Sequence, residues 1–260
     1  MDRVAITYSD HIAHIRLTRA DKMNAMDPPM IEAIVAAGQE VSGSDVRAVV
    51  ISGDGRGFCA GLDVASFATL AKADPAKAVM PRTHGKTNLY QEVSMIWRKV
   101  PVPVIAALHG VVFGAGFQLA LGADIRIAAP DTRLAAMEMK WGLVPDMGGL
   151  VLLPRLTRAD VIRKLTYTAE PVSAKQALDW GLVTEVSEDP LIAALDMAAV
   201  ISAKSPSAIK AAKALILHAE TLGEAELLLA ESRAQGELIG KPDQMEVIAA
   251  QMQGRAPEFK

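Results

Sequence analysis

Gly57-Phe58-Cys59-Ala60-Gly61-Leu62-Asp63 and, further along, His109-Gly110-Val111-Val112-Phe113-Gly114-Ala115-Gly116-Phe117-Gln118 each follow an apolar strand-like run, Ala48-Val49-Val50-Ile51 and Val102 to Leu108. Each ends in small residues ahead of a helical pattern. Glycine lets the main chain come close to a ligand, and the first N–H groups of a helix lack partners, so such turns present donors toward negative charge. Two of them meeting in space would form an oxyanion hole, which stabilises an enolate growing on a carbonyl oxygen. A single turn would be read as no more than a tight strand ending.

Outward from these turns, Val4 to Tyr8 and Ile12 to Thr18 read as a hairpin around Ser9-Asp10-His11. Asp27 with Pro28 and Pro29 is a helix start, and Met30, Ile34, Ala37 and Val41 keep one apolar face. Strands are expected at Ala48 to Ser52, Val102 to Leu108 and Ile125 to Ala129, with helices after Asp63 and after the second turn. From about Ala159 the pattern is nearly continuous helix, interrupted by one short strand at Gly181 to Val186. Ser205-Pro206 opens a helix well, and Leu222 to Leu238 and Met245 to Met252 are amphipathic.

The chain has 260 residues, 51% hydrophobic content and a net charge of −3, enough for a full core and too acidic for a nucleic-acid backbone. Cys59 is the single cysteine, which excludes an intrachain disulfide and fits a cytoplasmic setting. Val100 to Ala123 lacks formal charge, but its prolines and glycines divide it into strand, turn and helix, so no membrane span is expected. A dinucleotide site at Gly114-Ala115-Gly116 is not expected, because Leu119 stands where the third glycine belongs.

Arg19-Ala20-Asp21-Lys22-Met23-Asn24-Ala25-Met26, the two glycine turns and Met137-Glu138-Met139-Lys140-Trp141-Gly142-Leu143-Val144-Pro145-Asp146 follow one another across nearly the whole chain. In that order they resemble the crotonase superfamily, the enoyl-CoA hydratase and isomerase group. The resemblance implies an α/β fold, a crotonase-like spiral of ββα repeats over residues 1–204. A C-terminal helical region, 205–260, would pack subunits into a homotrimer or a dimer of trimers. It implies an unsaturated acyl-CoA substrate and no separate cofactor, coenzyme A being part of the substrate. The oxyanion donors it implies are the N–H groups of Leu62 and Ala115. The coenzyme A arm would lie against Met23 and Ala25 and along Ala60, Gly61, Asp63 and Val64, with Gly114 in the second turn. Lys22 would meet a phosphate, its alternative being a solvated surface lysine. A phenylalanine and a lysine that often complete this pocket from a neighbouring subunit are replaced by Gln251 and Gly254, with Arg255 as a possible substitute.

For proton transfer the hydratases of this family use two glutamates around a water. The second is kept as Glu138, but the first is Gln118, whose amide can hydrogen-bond water or substrate and cannot accept a proton. Asp146, eight residues beyond Glu138, gives a pair of acids that resembles the dienoyl-CoA isomerase branch. That branch usually has a third acid at the Gln118 position, and single-carboxylate enoyl-CoA isomerases fit nearly as well. Burial among Met137, Met139 and Trp141 would raise the Glu138 pKa toward a useful value. The expectation is double-bond isomerisation with Glu138 as base and Asp146 as partner. The alternatives are 2-enoyl-CoA hydration and a catalytically inactive acyl-CoA-binding protein. No metal site is expected: His11 and His14, three apart in a strand, would face opposite sides, and Cys59 has no histidine placed to activate it.

Overall fold

A computed structural model describes residues 3–66 and 74–259. Strands β1 (Val4–Ser9) and β2 (Ile12–Leu17) form the expected hairpin, with Ser9 opposite Ile12. Asp10 and His11 form its two-residue loop at φ of 50° and 62°. Two positive φ values give the turn whose twist suits a tight hairpin. His11 thus lies in the turn and not in a strand, and only His14 belongs to β2, where its Nε2 meets Ser52 Oγ at 2.8 Å. The loop takes His11 because the pairing register leaves no other residues to reverse the chain.

Helix α1 (Pro28–Ser42) is capped by the Asp27 carboxylate, which accepts from Met30 N–H at 3.0 Å. Strand β3 (Ala48–Gly53) follows, all but its last residue buried. Residues 64–66 are helical, and the rest of the helix expected after Asp63 lies outside the described residues. A short helix α2 (Pro75–Val79) precedes α3 (Leu89–Lys99), which Asn88 and Gln91 start with reciprocal side-chain to backbone bonds.

The second apolar run divides into β4 (Val104–Leu108), β5 (Val111–Phe113) and α4 (Ala115–Gly122). Strand β6 (Ile125–Ala128) and β7 (Arg133–Ala135) come next, then α5 (Gly149–Leu152), α6 (Ala159–Thr168), β8 (Val172–Ser173) and α7 (Ala174–Asp179). Strand β9 (Glu185–Val186) is shorter than the expected run from Gly181, because Leu182 and Val183 N–H close the end of α7 on Ala177 O. Four helices complete the chain: α8 (Pro190–Ser202), α9 (Pro206–His218), α10 (Glu224–Leu238) and α11 (Pro242–Gln253).

Six strands form one sheet in the order β1-β2-β3-β4-β6-β9, parallel from β2 onward, and β5-β7-β8 form a second. Strands β3 and β4 lack hydrophobic alternation because both faces of the larger sheet are covered. Val49, Ile51 and Ala106 share the main core with α1, α3 and α4, whereas Val50, Ile105 and Ile127 meet Ala194 and Ala198 of α8. After the β1-β2 hairpin, which lies wholly in the large sheet, β4 and β6 each lie in the large sheet and are followed by β5 and β7 in the small one. The segment after β3 joins the small sheet through an isolated bridge, Cys59 to Val112. The expected spiral of strands and helices is present, with a helical C-terminal region. Val111–Phe113 was expected within a turn; β5 exists because Val112 pairs with Leu134 and bridges Cys59, partners remote in sequence.

Buried Lys213 fastens α9 to this body, its Nζ donating to Trp97 O (3.0 Å), Val102 O (2.9 Å) and the Asp124 carboxylate (2.7 Å). No single helix among the described residues is long and apolar enough to cross a membrane.

Candidate active site

The first glycine turn is drawn alongside β5. Cys59 N–H donates to Val111 O and Phe113 N–H to Cys59 O, both at 3.0 Å, so Ala60-Gly61-Leu62 arrives beside Gly114-Ala115. Asn24, buried, donates from Nδ2 to the carbonyls of Asp54 and Gly57 and holds the turn's entry. Met26 N–H donates to Gly61 O and Asp63 N–H to Met26 O, each at 2.8 Å, so the loop from Arg19 to Met26 splints its exit.

Gly61, at φ +103°, leaves no room for a side chain: a Cβ there would stand 2.9 Å from Phe113 O and 3.7 Å from Ala115 N. The two turns therefore abut. Among the described residues neither Leu62 N–H nor Ala115 N–H has an acceptor, Ala115 being the first residue of α4. Both residues line one cavity of about 200 Å³, together with Ala60, Gly61, Val64, Gly114, Glu138 and Asp146. Trp141, Leu143, Val144 and Met147 supply apolar walls.

Glu138 follows β7 at the head of a 3-10 turn, Glu138–Trp141, which Gly142 ends at φ +69°. Its Oε1 accepts from Gln118 Nε2 at 2.6 Å, while Oε2 is buried without a partner. Burial raises the Glu138 pKa most; its own backbone N–H and the Gln118 amide pull it down, and the Asp146 charge adds to the rise. Asp146 keeps solvent access at the cavity mouth, yet the protein around it still displaces enough water to raise its carboxyl. Tyr90 is raised too, by burial and by the Asp146 charge. Two carboxyls with raised pKa share a pocket with two open N–H donors, an arrangement suited to moving protons beside a carbonyl whose oxygen carries developing charge.

Several residues expected to bind the substrate are not among the residues that line this cavity. Gln118 does not line the cavity, because its Oε1 accepts from Met147 and Gly149 N–H, both at 2.9 Å, and its Nε2 is given to Glu138. Lys22 is exposed and Met23 and Ala25 half-buried on the splinting loop, away from the cavity walls. The Asp63 carboxylate pairs with Arg19 at 2.6 Å and caps Ala65 N–H, which lowers its pKa. Arg255 is paired with Glu246 at 2.5 Å in the same chain, which holds the Glu246 pKa down at about 2. Cys59 is fully buried, donates to Asn24 O, and burial pushes its thiol up to about 12, so no thiolate is available for attack. Sequence reasoning did not single out Met147 or Tyr90; a methionine and a tyrosine in amphipathic surroundings carry no signal of that kind. No group of three or more His, Cys, Asp or Glu among the described residues is arranged to hold a metal ion.

A spiral of strand pairs and helices that sets two such turns beside a half-buried glutamate defines a protein of the crotonase class. The family model for enoyl-CoA hydratase/isomerase matches residues 7–260. The human mitochondrial Delta(3,5)-Delta(2,4)-dienoyl-CoA isomerase is 36% identical over 226 residues, 84% of this chain and 69% of that protein. Its mouse counterpart is 35% identical over 80% of this chain, which spans 66% of the mouse protein's length. The crystal structure of an enoyl-CoA hydratase from Polaromonas sp. JS666 superposes with a TM-score of 0.87 at 28% identity, covering 99% of each chain. The chain belongs to the enoyl-CoA hydratase/isomerase family and is an enzyme of the crotonase superfamily.

Proposed function

We propose that the enzyme shifts double bonds in an unsaturated acyl-CoA, converting a 3,5-dienoyl thioester to its conjugated 2,4 isomer. The observation that carries this reading is one cavity lined by Leu62, Ala115, Glu138 and Asp146, with the Glu138 Oε2 buried and without a hydrogen-bond partner. The thioester oxygen accepts from both N–H groups. Glu138 Oε2 takes a proton from the carbon next to the carbonyl, and the C–H electron pair moves through the carbonyl carbon onto oxygen. Asp146, also in the cavity lining, returns a proton at the far end of the conjugated system, and the charge on oxygen collapses back. One proton leaves, one arrives, and no electrons are gained or lost. The mouse and human relatives named for this reaction support the choice.

Hydration of a 2-enoyl-CoA is the second reading, favoured by the names of similar solved structures such as the Polaromonas hydratase. Against it, activating a water between two acids needs a second base, and the Gln118 amide oxygen already accepts two N–H bonds. The C-terminal helices expose Leu228, Leu229, Met245 and Met252, apolar side chains that a trimer or a dimer of trimers would cover. Purified enzyme given 3,5-dienoyl-, 3-enoyl- and 2-enoyl-CoA decides among the readings. Growth of the conjugated 2,4-dienoyl absorbance supports isomerisation, and a 3-hydroxyacyl product from the 2-enoyl thioester alone supports hydration. Binding without turnover of any of the three indicates an inactive acyl-CoA-binding protein.

A further inference from the structure

Gln118 projects from the first turn of α4 and is 1% exposed. The two N–H groups of Met147 and Gly149 converge on one end of its amide, which must therefore be the oxygen, so the NH2 group faces Glu138. Gly149 is fitted to this contact: a Cβ there would stand 2.8 Å from Gln118 Oε1. The bond from Nε2 to Glu138 Oε1, at 2.6 Å, engages one carboxylate oxygen, and the other, buried Oε2, has no partner.

We propose that Gln118 is a positioning residue, which turns Glu138 so that Oε2 alone exchanges protons with substrate and ties that carboxylate to the backbone segment following Asp146. The proposal rests, for its catalytic consequence, on the isomerase reading above. One amide thus joins three parts of the site: α4, whose first N–H is Ala115; the 3-10 turn of Glu138; and the Met147–Gly149 segment that carries Asp146. The groups that face Glu138 are Gln118 from α4 and Asp146 from the following loop, with Tyr90 of α3 beside Asp146. The donor from Gln118 favours the ionised base, and Asp146 opposes it.

Two variants test this. Gln118→Leu removes both ends of the strut. Gln118→Glu keeps an acceptor for Met147 and Gly149 N–H, so the frame is retained, but turns the donor facing Glu138 into an acceptor. Carbon-13 NMR of glutamate-labelled protein, with the Glu138 signal assigned by its loss in Glu138→Gln, reads the titration of Glu138 without substrate. In both variants Glu138 titrates at higher pH than in the wild type, and the acid limb of kcat against pH moves with it. A misplaced base lowers kcat on the order of a hundredfold, with KM unchanged because Gln118 does not touch substrate. An unmoved Glu138 titration in Gln118→Glu overturns the proposal, as does a rise in KM at constant kcat, which would make Gln118 a substrate contact. If the wild type converts none of the CoA thioesters, the isomerase reading falls, while the NMR titration still decides whether Gln118 orients Glu138.

Discussion

Replacing Gly116 with alanine should separate the two oxyanion donors without touching either. Gly116 follows Ala115 in α4 and lies against the first turn: a Cβ there would stand 2.5 Å from Cys59 O, 2.6 Å from Cys59 Cβ and 2.8 Å from Cys59 Sγ. Ordinary van der Waals contact begins at 3.4 Å, so about 0.9 Å of separation from the carbonyl must be found. The obstacle is backbone and a buried side chain, neither of which can swing aside. Relief comes from moving α4 away from Cys59-Ala60-Gly61-Leu62, which widens the gap between Leu62 and Ala115 N–H. Overpacking of this kind costs about 1–3 kcal/mol in stability. Loss of one oxyanion donor costs about 10²–10³ in kcat. Steady-state isomerase kinetics with thermal unfolding of the same samples measure both. The control is Gly236→Ala in α10, where nothing lies within 4 Å of the new Cβ. It should gain about 0.8–1 kcal/mol from helix propensity and leave kcat alone. Wild-type kcat in Gly116→Ala, with an unchanged unfolding transition, would refute the claim that abutting turns are needed.

Glu138→Gln should retain its fold by circular dichroism and bind acyl-CoA, while kcat falls by about 10²–10⁴ for loss of the base. Because Glu138 must be ionised to accept a proton and its pKa is raised, wild-type kcat should rise with pH through a limb above the ordinary carboxylate range; a limb at the ordinary value counts against Glu138. Asp146→Asn removes the neighbouring charge that adds to that rise, so the limb should move to lower pH while conversion of the 3,5-dienoyl thioester slows. Lys213→Met strips the carbonyls of Trp97 and Val102 and the Asp124 carboxylate of a buried donor, so urea unfolding should show a loss of about 3 kcal/mol, with kcat on remaining folded enzyme unchanged.

What the chain states locally could be read without coordinates. The hairpin register, the Asp27 cap of α1, the Ser205 cap of α9 and the two glycine turns are set by residues within a few positions of one another, where backbone torsion and short-range bonds decide. Glu138 was legible as a candidate base from its motif, but its surroundings were not: it is half-buried, while its neighbours Met139 and Trp141 are exposed.

Tertiary structure alone decided the rest, because each outcome depends on which remote group a side chain can reach once the spiral closes. Gln118 is expected to bond water or substrate, and only the fold shows its amide engaged by partners 20, 29 and 31 residues away. Asp63 is expected along the coenzyme A arm, and only the fold shows that its carboxylate pairs with Arg19. Lys213 carried no signal as an anchor, since its acceptors lie 111 and 116 residues back and its burial needs α9 folded onto the body. Val111 to Phe113 became a strand only when Arg133 to Ala135 was brought alongside. Sequence fixes which donors and acids a chain owns; long-range packing determines which of them are left with a free lone pair or proton, and that remainder is what a substrate meets.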